Sequence, residues 1–227
     1  MAPVTVTVEE LADRVRRLSE SRPGRTMLGL VGAPGAGKST LAVALAERLT
    51  DLGAVVVPLD GFHLANATLA GLGLLDRKGA LETFDLDGYA ALLERLREAR
   101  GTVYAPAYER SIEEAIAGAV TVPASSRLVI TEGNYLLINH PAARRARGTL
   151  DEVWFVDVDD VTRVQRLVER HVTFGKSSDA ARAWTLGTDQ RNADRVLATR
   201  DRADLVVRVV DDVIDTDGEA PDTFSTD

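Results

Sequence analysis

The sequence predicts an α/β protein, a three-layer α/β/α sandwich with a mainly parallel, five-stranded sheet between its helices. Three observations carry this expectation. Short apolar runs, "TMLGLVG", "AVVVPL", "RLVITE", "VWFVDV" and "DLVVRVV", recur along the chain. Each is rich in β-branched residues and none alternates cleanly with polar ones, as expected of strands buried on both faces. Helical patterns lie between the runs, and strands alternating with helices build parallel sheets.

The elements follow in order. "TVEELADRVRRLSE" reads as an amphipathic helix, with Thr7 as N-cap, Glu10 completing a capping box, and Leu11, Val15 and Leu18 at helical spacing. "SRPGR" breaks it, so residues 1–24 form an N-terminal helix and linker. The first strand runs into a glycine-rich loop, and "KSTLAVALAERLTDLG" is a helix closed by Gly53. The next strand, in "VVVPLDGFHLAN", stops on an acid, Asp60, with Gly61, Phe62 and His63 behind it. "DGYAALLERLREAR" is helical, as is most of the stretch from Asp160 to Arg200. "GTVYAPAYERSIEEAIAGAVTVP" breaks the alternation with two β-like pieces around a polar centre, which predicts a small hairpin insertion. One domain is expected over 1–212, and the acidic, proline-containing 213–227 is expected to be disordered.

Composition excludes several classes. The 227 residues suffice for one full hydrophobic core. A net charge of −8 argues against nucleic-acid binding, which needs clustered Lys and Arg. A local basic pocket can still hold an anionic small molecule. The absence of cysteine removes disulfides, thiolate metal sites and a cysteine nucleophile. The opening residues lack a basic stretch followed by an apolar core, and no segment approaches the roughly 20 apolar residues of a membrane helix. Neither a secretory signal nor membrane association is expected, and the cytoplasm is the expected location.

"GAPGAGKST" satisfies G-x-x-x-x-G-K-[ST] between a strand and a helix, which makes the expected fold that of a P-loop NTPase. The small residues Gly32, Ala33, Pro34, Gly35, Ala36 and Gly37 let backbone N–H groups curl around a phosphate, and the new helix offers its positive end. Lys38 can reach the β- and γ-phosphates, while the Ser39 hydroxyl, followed by Thr40, suits Mg²⁺. The motif alone establishes a nucleoside-triphosphate site and not what the triphosphate is for. No guanine-reading N-K-x-D element is present, which argues against a GTP switch. The strand "LVITEGNYLL" ends on one acid, Glu132, rather than on the adjacent acids of motor ATPases.

In order, "GAPGAGKST", "LDGFH", "RKGALETFD", "PAYER", "TEGNYLL" and an arginine-bearing helix after "WFVDVD" resemble the superfamily of uridine kinase, phosphoribulokinase and bacterial pantothenate kinase. The resemblance spans residues 26–212. "RKGALETFD" is similar to the K-G-x-P-x-S-Y-D element of pantothenate kinases, with Leu81 at the proline position and Phe84 at the tyrosine. The resemblance implies an ATP- and Mg²⁺-dependent transfer to a hydroxyl of a small metabolite, a nucleoside or free sugar before pantothenate. It also implies a helical lid and allows for a homodimer. The competing class is a P-loop ATPase or nucleotide-binding regulator without an acceptor.

The resemblance also assigns roles, each beside a plainer alternative. Asp60 would orient and deprotonate the acceptor hydroxyl, or cap a loop. His63 would contact the acceptor or brace that loop. Glu132 would hold a Mg²⁺-bound water or the substrate, or cap a helix, with Asn134 and Tyr135 lining the pocket. Lys78, beside Arg77, would grip the acceptor or lie solvated. Tyr108 and Arg110 match the P-x-Y-[DS] element near the acceptor, and a core tyrosine is the alternative. Arg163, Arg166 and Arg170 share one helix face; of these, Arg166 and Arg170 are expected to act catalytically, neutralising charge on the moving phosphoryl group. "HVTFGKS", with His171 and Lys176, would be the lid's turn, and Asp189 and Asn192 would face nucleotide or substrate.

Overall fold

A computed structural model describes residues 1–210. The acidic tail at 213–227 and the last two residues of the expected domain lie outside them. The sheet contains β1 (Val4–Val6), β2 (Thr26–Val31), β3 (Val55–Pro58), β6 (Leu128–Gly133), β7 (Glu152–Val156) and β8 (Leu205–Val209). Its order is β1-β8-β7-β2-β6-β3, and every pairing is parallel. The expected α/β class and parallel sheet are therefore observed, with six strands in place of five. The additional strand is the tripeptide "VTV", which is too short to show a pattern and is paired in register with β8.

Two apolar layers cover the sheet. Helices α1 (Val8–Glu20) and α2 (Lys38–Arg48) pack Leu11, Val15, Leu41 and Leu45 against Leu28, Leu30, Ile130 and Trp154. On the opposite face, α4 (Leu86–Glu98) and α5 (Pro141–Thr149) pack Tyr89, Leu93, Leu96 and Ala146 against Met27, Val31, Val129 and Phe155. Successive residues of β2, β6 and β7 thus point into different layers, which is why their sequences are apolar throughout. The expected capping box starts α1: Glu10 N donates to Thr7 Oγ1 at 3.2 Å, and Thr7 N to Glu10 Oε2 at 2.9 Å.

Asp151 ties the sheet together at the end away from the phosphate loop. Its fully buried carboxylate accepts from Arg97 at 2.5 Å, Arg22 at 2.8 Å and the Met27 amide at 2.8 Å. Burial alone would raise this carboxyl; the bonds from Arg97 and Met27 hold it below the usual range.

The expected hairpin is β4 (Val103–Glu109) with β5 (Glu114–Val122), antiparallel, with a register shift between Ala105 and Ala107. Pro106 sits at that irregularity, where a residue without an N–H fits. Helix α3 (Asn66–Leu72) follows β3, and the lid region comprises α6 (Asp160–Thr173), α7 (Ser178–Trp184) and α8 (Gln190–Leu197). A π-helical turn, Thr185–Asp189, joins the last two.

Candidate active site

Parallel strands deliver their carboxyl ends to one edge, and in such sheets ligands bind there. β2 runs into the phosphate loop, β3 into Asp60, and β6 into Glu132. The register is fixed, with Glu132 opposite both Leu30 and Pro58. Beneath this edge, Thr131 Oγ1 donates to the Val57 carbonyl at 2.6 Å and shares a 2.7 Å hydrogen bond with the Tyr89 hydroxyl.

The phosphate loop takes the shape its glycines permit. Gly35 and Gly37 lie at φ +81° and +86°, in the left-handed region. A side chain on Gly35 would also meet the Arg163 carbonyl at 2.7 Å. Lys38 opens α2, buried, with its ammonium donating to the Ala33 carbonyl at 3.2 Å and to Asn134 Oδ1 at 2.8 Å. Burial pulls its pKa down, against the opposing pull of Glu132 and Asp60. The Ser39 hydroxyl donates to Glu132 Oε1 at 3.1 Å. Burial raises the Glu132 carboxyl and Asp60 raises it further, more than Lys38 and Ser39 lower it.

Asp60 lies on a single 3-10 turn, Leu59–Phe62, directly after β3. Its carboxylate stands 4.0 Å from Arg110 of the hairpin. Gly61 is required because a side chain there would meet the Pro106 carbonyl at 2.4 Å. His63 Nδ1 bonds the Asp60 carbonyl at 2.9 Å, and its ring lies 3.9 Å from Phe84 and 4.8 Å from Tyr108, centroid to centroid. Burial holds this imidazole below its ordinary pKa. Burial also raises the Tyr108 phenol.

Lys78 donates to Asn66 Oδ1 at 2.6 Å and to the Glu113 carbonyl, tying its loop and α3 to the hairpin turn. Glu113 takes φ +52°, a left-handed conformation, where its carbonyl receives both Lys78 and the Asn66 amide group. The lid arginines part company. Arg170 lies in the field of Asp60, Glu132 and Asp189; burial and nearby Arg110 lower its guanidinium. Arg166 lines a separate cleft of about 240 Å³ beside the phosphate loop, with Ala36, Val156, Val158, Thr162 and Val209. Arg163 is buried and bonded to Asp160 at 3.0 Å and Gln190 at 2.5 Å.

Asn192 and Tyr135 converge on one backbone group. Both donate to the Gly79 carbonyl, at 3.3 and 2.7 Å, and so shape the loop that follows Lys78. Asp189 is bonded by His171 Nε2 at 2.7 Å, an α6 contact that sequence reading did not foresee. Arg110 also stacks over Phe174 at 5.9 Å, so hairpin and lid meet above Asp60.

The sequence model of the Phosphoribulokinase / Uridine kinase family matches residues 27–215. The chain belongs to this family. It is a kinase, a phosphotransferase with an alcohol group as acceptor, and as such uses ATP. The kinase is 42% identical to a protein of Silicibacter sp. TM1040 whose solved structure is described as a "putative fructose transport system kinase"; the match has a TM-score of 0.81 and covers 88% of this chain and 98% of that one. A Schizosaccharomyces pombe protein named "Putative uridine kinase C227.14" is 31% identical, over 77% of each chain. The pantothenate kinase of Nocardioides sp. is 30% identical, over 84% of this kinase and 68% of its own length. Among the described residues no helix is long and apolar enough to cross a membrane.

Proposed function

We propose that this kinase transfers the γ-phosphoryl group of ATP to a hydroxyl of a small uncharged metabolite, a free sugar before a nucleoside. The observation that carries the reading is the meeting of Asp60, Glu132 and the Lys38–Ser39 pair at one sheet edge. In phosphoryl transfer the protein mainly positions the nucleophile and manages charge. Asp60 receives the proton of the acceptor hydroxyl as it attacks. Lys38 and Arg170 balance the charge on the moving phosphoryl group, and backbone N–H groups of the loop from Gly32 to Thr40 hold the phosphates. Arg166 serves the donor from the cleft beside Ala36, where Val156, Val158 and Val209 offer apolar faces to a base beside Asp157, Asp159 and Arg208.

Ser39 Oγ and Glu132 Oε1, 3.1 Å apart, form the hard oxygen pair that Mg²⁺ prefers. No cluster of three or more His, Cys, Asp or Glu side chains suited to a metal occurs among the described residues, in keeping with an ion held largely by phosphates. When bound, Mg²⁺ would neutralise phosphate charge.

The cations near Asp60 support an uncharged acceptor. Lys78 is committed to Asn66 and Glu113, Arg110 stands against Asp60 itself, and Arg170 is assigned to the transferred phosphoryl group. An acceptor already bearing phosphate would need free positive charge there. Similarity to the Silicibacter protein, described as a "putative fructose transport system kinase", favours a sugar. The aromatic faces of His63, Phe84 and Tyr108 favour a nucleoside as second reading, and pantothenate ranks third because of its carboxylate. ADP release scored against fructose, other sugars, nucleosides and pantothenate tests the reading, with a free sugar expected to give the largest stimulation. Asp60→Asn should keep ATP binding and lower transfer at least about tenfold, within the range of a general base. ADP release that no acceptor stimulates would favour an ATPase instead.

A further inference from the structure

Lys38 has three N–H donors. The protein engages two of them from different elements, one through the Ala33 carbonyl of the phosphate loop and one through Asn134 Oδ1 after β6. Two fixed acceptors leave a tetrahedral ammonium a single direction for its third proton. The Asn134 amide, bonded through Oδ1, carries its Nδ2 beside the same ammonium. Chemistry explains the neutral side chain at this position. An aspartate would accept the same bond, but it would cancel the lysine charge and add a third acid to Asp60 and Glu132.

We propose that Asn134 is a positioning residue that aims Lys38 at the outermost phosphoryl group, so that the Lys38–Asn134 pair distinguishes a nucleoside triphosphate from a diphosphate. The proposal rests on the phosphate loop being a nucleotide site. Asn134 directly follows β6 and its acid Glu132, and the Lys38 ammonium lies in the field of both Glu132 and Asp60.

The test is calorimetric titration of the intact protein, with Mg²⁺, using ADP and the non-hydrolysable β,γ-imido analogue of ATP. Wild-type protein should bind both; failure to bind either would sink the nucleotide-site reading itself. In Asn134→Ala, affinity for the analogue should fall about tenfold, the scale of one charge-assisted hydrogen bond. Affinity for ADP should stay within about twofold, which also shows that the variant is folded. A loss of both affinities in step, or of neither, would overturn the proposal, because mere bracing of the loop does not discriminate between the ligands. Asn134→Asp keeps an acceptor for Lys38 and covers the case in which the alanine variant does not fold. It should bind the analogue no better than Asn134→Ala, and wild-type affinity in this variant would equally overturn the assignment.

Discussion

Glu132 is buried next to a second acid, Asp60, and those two facts set its protonation. A carboxyl whose folded pKa is raised adds stability below its unfolded value, about 4.3, and loses it as pH rises through the folded value. Its ionised form, which accepts from Ser39 and suits a metal, is therefore the costly one. Binding of the Mg²⁺ complex of the ATP analogue should weaken on acidification at a higher pH than an ordinary glutamate would give. Asp60→Asn removes the like charge, so titrations across pH should show that midpoint moving down. A midpoint that stayed or rose would show that another group controls it. Both acids were legible in the sequence because each is a lone carboxylate ending a buried apolar run. The bonds of Lys78 were not legible, because Asn66 and the Glu113 carbonyl lie 12 and 35 residues away and carry no local signal. Arg166 and Arg170 share a helix face, and periodicity alone does not say that one lines the cleft beside Ala36 while the other lies in the field of Asp60 and Glu132.

The turn Leu59–Phe62 shows how an element is placed by what it lacks. Gly61 packs its backbone against the Pro106 carbonyl of the hairpin, with no room for a methyl group. Gly61→Ala should therefore cost about 1–3 kcal/mol through overpacking or push the hairpin outward. Denaturant melts would register the first, and faster amide exchange across Val103–Val122 the second. Unchanged stability together with unchanged exchange would show that the contact has slack. The hairpin itself was readable from two β-like pieces around a polar centre, and α1 from its capping box. Strand β1 was not, since three residues carry no period. Nor was the π-helical turn Thr185–Asp189, which differs from an α-helical path only in how the backbone hydrogen bonds reach.

At the scale of the whole molecule, Asp151 joins β2, α4 and the segment before β7. Arg97→Ala should lower stability by roughly 2–3 kcal/mol, less than complete loss of a buried pair because Arg22 remains. The depressed pKa of Asp151 adds stability above the unfolded value, about 3.9, and this is lost as pH falls through the lower folded value. The cost of the substitution should accordingly shrink on acidification. Urea unfolding at neutral pH and at a pH roughly two units below the unfolded aspartate pKa tests this, and a cost independent of pH would rule out the ionic account. The sheet order carries a consequence for assembly. Among the described residues β1 pairs with β8 alone, and Val4 lies beside Val207. Strands β2, β3, β6 and β7 can align with one another without β8, whereas β1 has no neighbour until β8 is in place. Closing so long a loop is slow relative to local pairing, so the strand that leads the sheet in chain order is the last that can be seated.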